Sequence, residues 1–246
     1  MTLTVKIAAA LSAALALAGC QKQDDEAFGE RVRAYLLSHP EVLQEVSVAY
    51  QQKQQAELAK AASTAIGKHR AQLERDPRDF VANPNGSVTV VEFFDYNCAY
   101  CKIAAPDVVK LIRDNPDVRF VFKEFAFQTE DSILAGHMVL TPVAKPKSLE
   151  LYADLMAAKP LNRAAIDRIF TQHGVDPQVA RQQAGDPAIQ RQLLDIRALA
   201  QALHIDGTPA FVVGDKVIPG ADIDALKAAI TDAKATGLKR PTGNPA

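Results

Sequence analysis

The run VTVVEFFDY (88–96) is rich in β-branched and aromatic residues and has the length of a buried strand. Two residues later come Cys98-Ala99-Tyr100-Cys101, and CKIAAPDVVKLIRD (101–114) then runs at helical spacing, with Pro106 as a kink point. A second strand, VRFVFKEF (118–125), follows. Strand, helix and strand of these lengths form the crossover unit of a parallel sheet, right-handed by strong preference. The chain is therefore built on an α/β layer, and two of its three cysteines sit where strand turns into helix.

Helices surround that unit. FGERVRAYLLS (28–38) is amphipathic, and Pro40 suits the first turn of a second helix over 41–75. Leu43, Val46 and Tyr50 line one side of that helix, and Leu58, Ala62, Ile66 and Leu73 continue an apolar stripe beyond the polar gap QQKQQ (51–55). Such a helix packs on a partner copy or another domain, or serves as a solvated spacer. Residues 76–87, rich in Pro, Asn and Gly, read as a linker. Helical patterns occupy 132–140, 148–158, 162–174 and 186–204, the last opened by Asp186 as N-cap and Pro187 in the first turn. IDGTPAFVVGDKVIPG (205–220) reads as two short strands joined at Gly214-Asp215. A closing helix begins at Asp222 and ends before Gly237, and the tail 237–246 reads as disordered.

At the N-terminus, Lys6 precedes the apolar run Ile7 to Ala18, too short for a stable membrane span and ending in small residues. Residues 1–19 therefore read as a signal peptide and 20–27 as a polar tether. LAGC (17–20) resembles a bacterial lipobox, which implies lipidation of Cys20; the alternative is that Cys20 merely follows an ordinary cleavage site. Gln21 differs from the aspartate that retains lipoproteins at the inner membrane. The expected location is the periplasm of a Gram-negative bacterium, with a lipid anchor in the outer membrane if Cys20 is acylated, and disulfides persist there. A formal net charge of −1 over 246 residues, no Trp and 6% aromatics give no basis for a nucleic-acid partner.

A C-x-x-C pair has three readings: a redox couple, half of a metal site, or a structural bridge. Zinc needs two further ligands at short spacing, and the five histidines (His39, His69, His137, His173, His204) stand singly. A structural disulfide gains little from closing a two-residue loop. A redox pair explains the placement: Cys98, at a helix N-terminus, faces unpaired N–H groups that favour a thiolate, the species that attacks disulfides. Cys101, one turn on, lies deeper. Cys98 is thus the expected nucleophile and Cys101 the resolving thiol.

The order of elements resembles the thioredoxin fold with an inserted helical domain, as in the DsbA family of thiol–disulfide oxidoreductases. VVEFFDYNCAYCK (90–102) and Gly207-Thr208-Pro209, together with a helical N-terminal segment, are most similar to its ScsC-like or Com1-like branch. The resemblance implies a thioredoxin domain over 88–236, a helical insertion at about 128–204, and an N-terminal helical segment over 28–75 for self-association or spacing. It also implies that Pro209 is cis and faces the dithiol, leaving backbone groups free for a substrate strand, with the Thr208 hydroxyl tuning the thiolate. Glu92 matches the buried acid beneath the active site, able to exchange a proton with Cys101, with Lys123 as its candidate partner. Tyr100 is expected to pack, Asp95 to be solvated, and Val108, Leu111 and Ile112 to form core. The dipeptide Ala99-Tyr100 lacks the proline and histidine of strongly oxidising relatives, so helix N–H groups carry more of the thiolate stabilisation.

The expected activity is exchange of disulfides with cysteine-containing secreted proteins, of isomerase type if the N-terminal helix builds an oligomer, with a membrane redox partner to reset it and no bound cofactor. The alternatives are a monomeric disulfide-donating oxidase and a copper(I)-handling thiol protein, although Met1, Met138 and Met156 form no cluster. A surface scaffold with a vestigial domain is disfavoured by the intact C-x-x-C and Gly-Thr-Pro.

Overall fold

The structure, a computed structural model, describes residues 27–237. The expectations for the signal peptide, Cys20 and nearly all of the tether, and for the tail from 238, lie outside the described residues. The chain divides into two compact units, one up to Glu57 and one from Leu58 onward.

In the first unit, α1 covers residues 27–38 and α2 (Glu41–Arg75) begins after Pro40. Their apolar residues Phe28, Val32, Tyr35, Leu43, Val46 and Tyr50 are all exposed.

The second unit holds a five-stranded sheet in the order β1-β3-β2-β4-β5. The central strands β2 (Val88–Phe94) and β3 (Val118–Glu124) are parallel and joined by α3 (Ala99–Asp114), as the crossover pattern requires. β4 (Ala210–Val213) pairs antiparallel with β2, and β5 (Lys216–Pro219) with β4, through a turn where Gly214 adopts φ 59°. β1 (Phe80–Ala82) pairs antiparallel with β3 inside the segment read as linker. Three residues are too few to register as a strand by pattern. Gly86, in the turn after β1, is required: a Cβ there would lie 2.4 Å from the Arg119 amide nitrogen.

Strand alternation divides the core. Val90, Phe94, Phe120 and Phe122 face one layer, formed by α3, α9 (Ile223–Ala235) and the insertion helices α4 (Glu130–Val139), α5 (Ser148–Ala157), α6 (Arg163–Gln172) and α7 (Pro177–Ala184). Val91, Phe93, Val121 and Val212 face the other, covered by α8 (Pro187–Ala202) and the last turns of α2. The insertion thus covers both faces of the sheet.

Two differences from the sequence reading matter. Leu58, assigned to a self-association stripe, is exposed, whereas Ile66 and Leu73 of the same stripe are fully buried in one cluster with Val91, Phe93 and Ile196, so the last turns of α2 pack on the sheet. Each such side chain stabilises the domain by about 1.5–3 kcal/mol. α7 falls between two expected helices. Asp176, whose carboxylate accepts from the Gln178 and Val179 amides, followed by Pro177, is the same start signal read correctly at Asp186-Pro187, where Asp186 caps the Ala188 amide.

Candidate active site

β2 delivers the chain to the dithiol, and three residues after its end set the geometry. Asp95 is fully buried, not solvated as expected. Its carboxylate accepts from the Asn97 amide (2.7 Å), the Phe127 and Gln128 amides (2.7 and 2.9 Å) and the Ser132 hydroxyl (3.1 Å). It thereby fixes the turn into α3 against the loop after β3. The Asn97 amide is local, but the Phe127, Gln128 and Ser132 donors lie more than thirty residues away in sequence, so local pattern could not reveal them.

Cys98 is the N-cap of α3, and Cys101 lies in its first turn; both are buried and both are free thiols. The Cys98 thiol makes no capping hydrogen bond and donates instead to the Thr208 carbonyl at 3.1 Å. Burial opposes its ionisation, but the Thr208 side chain and the N–H groups of Cys101 and Tyr100 outweigh it and hold Cys98 below the ordinary thiol value. In the neutral-thiol geometry the Thr208 hydroxyl is buried and has no hydrogen-bond partner among the described residues, so its donor is available to the sulfur once it is charged, which is how the Thr208 side chain favours the thiolate. The Thr208–Pro209 peptide bond is cis, and Pro209 is buried beside the start of β4. Cys101 behaves in the opposite way: burial first, then the neighbouring charges of Glu92 and Cys98, push it well above the ordinary thiol value, only partly offset by the Asp95 N–H. Two thiols three residues apart are therefore driven in opposite directions.

Glu92 lies beneath them on β2, 1% exposed. Burial raises it to about 8, against the opposing hydrogen bond from Tyr152, whose hydroxyl lies 3.0 and 3.1 Å from the two carboxylate oxygens. Lys123 is not its partner. Register pairs Glu92 with Phe122, so Lys123, one residue on, projects to the opposite face. There its ammonium pairs with Asp79 and donates to the Gln72 carbonyl at 2.6 Å. A second buried acid, Glu124, accepts from the Tyr96 hydroxyl at 2.9 Å and is also raised by burial. Tyr96, Tyr152, Phe94 and Phe122 stack edge to face between the two acids. Tyr152 and Tyr96 were missed, the first because a tyrosine in an amphipathic helix reads as core.

The outer face of α3 is open. Tyr100, expected to pack, is 64% exposed, and Ile103 one turn on is likewise exposed. Lys102 turns toward the insertion: its ammonium donates to the carbonyls of Leu155, Met156 and Ala158, at 3.4, 3.3 and 2.7 Å, and so caps the C-terminus of α5. Its own value is lowered by burial and by Lys159.

A family model described as Thioredoxin matches residues 74–232, and the chain belongs to that family. Within it the chain is of the DsbA and ScsC-like type: residues 24–57 match the model described as Copper resistance protein ScsC N-terminal domain. The crystal structure of BcfH from Salmonella enterica Typhimurium is similar, with 32% identity, a TM-score of 0.71, and 89% of this chain and 99% of that chain covered. Thiol:disulfide interchange protein DsbA of Bordetella pertussis is 28% identical over 53% of this chain and 65% of its own length. Na(+)/H(+) antiporter NhaA 3 of Salinispora tropica is 30% identical over 68% of this chain but only 27% of its own length, so the chain spans about a quarter of that protein.

Proposed function

We propose that this protein is an exported thiol–disulfide oxidoreductase that exchanges disulfides with cysteine-containing secreted proteins through Cys98 and Cys101, in an isomerase mode. The observation that carries the reading is the opposite treatment of the two thiols, Cys98 lowered and Cys101 raised, at the N-terminus of α3 beside Pro209. Cys98 attacks a substrate disulfide to form a mixed disulfide. Cys101 gives its proton to Glu92 and displaces the substrate thiolate from the Cys98 sulfur, which leaves the enzyme disulfide and a reduced substrate. Run backwards, the same steps donate the disulfide. Thr208 and Pro209 receive the substrate backbone, and a membrane redox partner resets the pair.

The isomerase mode is supported by the exposed apolar residues of α1 and early α2, suited to self-association, and by the match of that region to an ScsC N-terminal domain. The periplasm, with a lipid anchor at Cys20, is the proposed site of action. The test compares insulin reduction with refolding of scrambled ribonuclease by the mature protein. Activity in both supports isomerase-type exchange. Strong oxidation of reduced ribonuclease by a monomer supports the oxidase alternative, and tight copper(I) binding without turnover supports the metal-handling one.

A further inference from the structure

The dithiol stands on α3 and Glu92 on β2, but the hydroxyl that answers Glu92 comes from neither. It comes from α5, in the insertion, sixty residues along the chain. Among the described residues Tyr152 is the hydrogen-bond partner of the Glu92 side chain, and its hydroxyl reaches both carboxylate oxygens at almost equal distance. The helix that carries it is held in place twice. Tyr152 is buried at 1% exposure in the ring cluster with Phe94, Phe122 and Tyr96, and Lys102, next to Cys101, caps the end of the same helix through three carbonyls.

We propose that Tyr152 is a positioning residue of the exchange reaction: it orients Glu92 and sustains its charged form, so that the carboxylate can take the Cys101 proton. The inference rests on the exchange activity and on Glu92 as the acceptor. In the step concerned, the Cys101 S–H bond breaks and its proton passes to Glu92. The Cys101 sulfur forms the bond to Cys98, and the substrate sulfur leaves with the electron pair and is protonated by solvent. A donor on the carboxylate favours its ionised form. Burial keeps the Tyr152 hydroxyl itself protonated far into the alkaline range, so it remains that donor wherever Glu92 titrates. The titratable groups around Glu92 are Cys101 from α3, Tyr152 from α5, Tyr96 just beyond β2, and Glu124 from β3. Glu124 has its own tyrosine in Tyr96.

The experiment loads a thiol peptide on Cys98 of the full mature chain as a mixed disulfide and follows its release between pH 5 and 10. In the parent protein the release rate should rise through the ionisation of Glu92. Tyr152→Phe, which keeps the ring in its cluster, should move that inflection upward by about one pH unit. Glu92→Gln should remove the inflection, and adding Tyr152→Phe to it should change nothing further. An inflection that stays in place in Tyr152→Phe overturns the proposal. So does an equal slowing by Tyr152→Phe with and without Glu92, which would show packing alone. A parent-like profile in Glu92→Gln overturns it through its premise, and failure of the parent chain to form a mixed disulfide defeats the exchange reading itself.

Discussion

Asp95 and Glu92 stand three residues apart, both buried, and meet opposite conditions. Asp95 accepts from three amides and a hydroxyl, whereas Glu92 has one hydroxyl for two oxygens. Burial of Glu92 has a consequence for stability. Its value rises from 4.5 in the unfolded chain to about 8 in the fold, so between those limits the native state binds more protons than the unfolded one. Stability then falls as pH rises through that window. Glu92→Gln should therefore gain a few kcal/mol relative to the parent between pH 5 and pH 9, read from urea midpoints of the reduced proteins at both values. At the dithiol, Cys101→Ser should accumulate mixed disulfides with substrate and Cys98→Ser should accumulate none, as seen on non-reducing gels; equal trapping by both would remove the assignment of roles. The cysteines, Thr208, Pro209 and Glu92 could be singled out as candidates because each lies in a local motif. The partners of Glu92, Lys123 and Asp95 were not, because face and long-range register decide them.

Elements were legible in proportion to their length and period. β2, α3, β3 and α9 stand within two residues of where their patterns put them, while β1 and α7, short and placed between stronger signals, did not register. β1 and α2 are held to the sheet in part by the Lys123–Asp79 pair, whose side chains are 1% and 0% exposed. Burial lifts Asp79 to about 6 against the lowering effect of Lys123, and Gln192 donates to it at 3.3 Å. Removing one member leaves the other buried without its counter-charge. Lys123→Met should cost about 3–5 kcal/mol, and Lys123→Met with Asp79→Asn should recover part of that loss. Chemical denaturation of the parent and both variants checks this; a double variant no more stable than Lys123→Met would mean that the uncompensated Asp79 charge is not the source of the loss.

On the scale of the whole molecule, the first unit ends at Glu57, where the ScsC N-terminal match also ends. The apolar stripe read along 43–73 ran across that limit because α2 is one continuous helix, and the stripe resumes after the polar gap 51–55 with no mark of which partner each turn meets. A truncation that tests the role of the first unit must therefore begin the protein near Leu58, since starting after Arg75 would remove Ile66 and Leu73 from the core. The shortened protein should be monomeric by light scattering, keep insulin reduction, and lose most refolding of scrambled ribonuclease. A parent chain that is already monomeric at micromolar concentration would instead favour the oxidase mode.

The origin of the Tyr152 hydroxyl bears on how such a protein can be re-engineered. A helical insertion is commonly treated as a lid, exchangeable for another of similar shape. Here it carries the donor for the acid beneath the thiols, and its α5 terminus is capped by the residue that follows Cys101. Grafting a foreign insertion onto this sheet would remove the Tyr152 hydroxyl from Glu92, so under the mechanism proposed above such chimeras should inherit the pH response of the insertion donor.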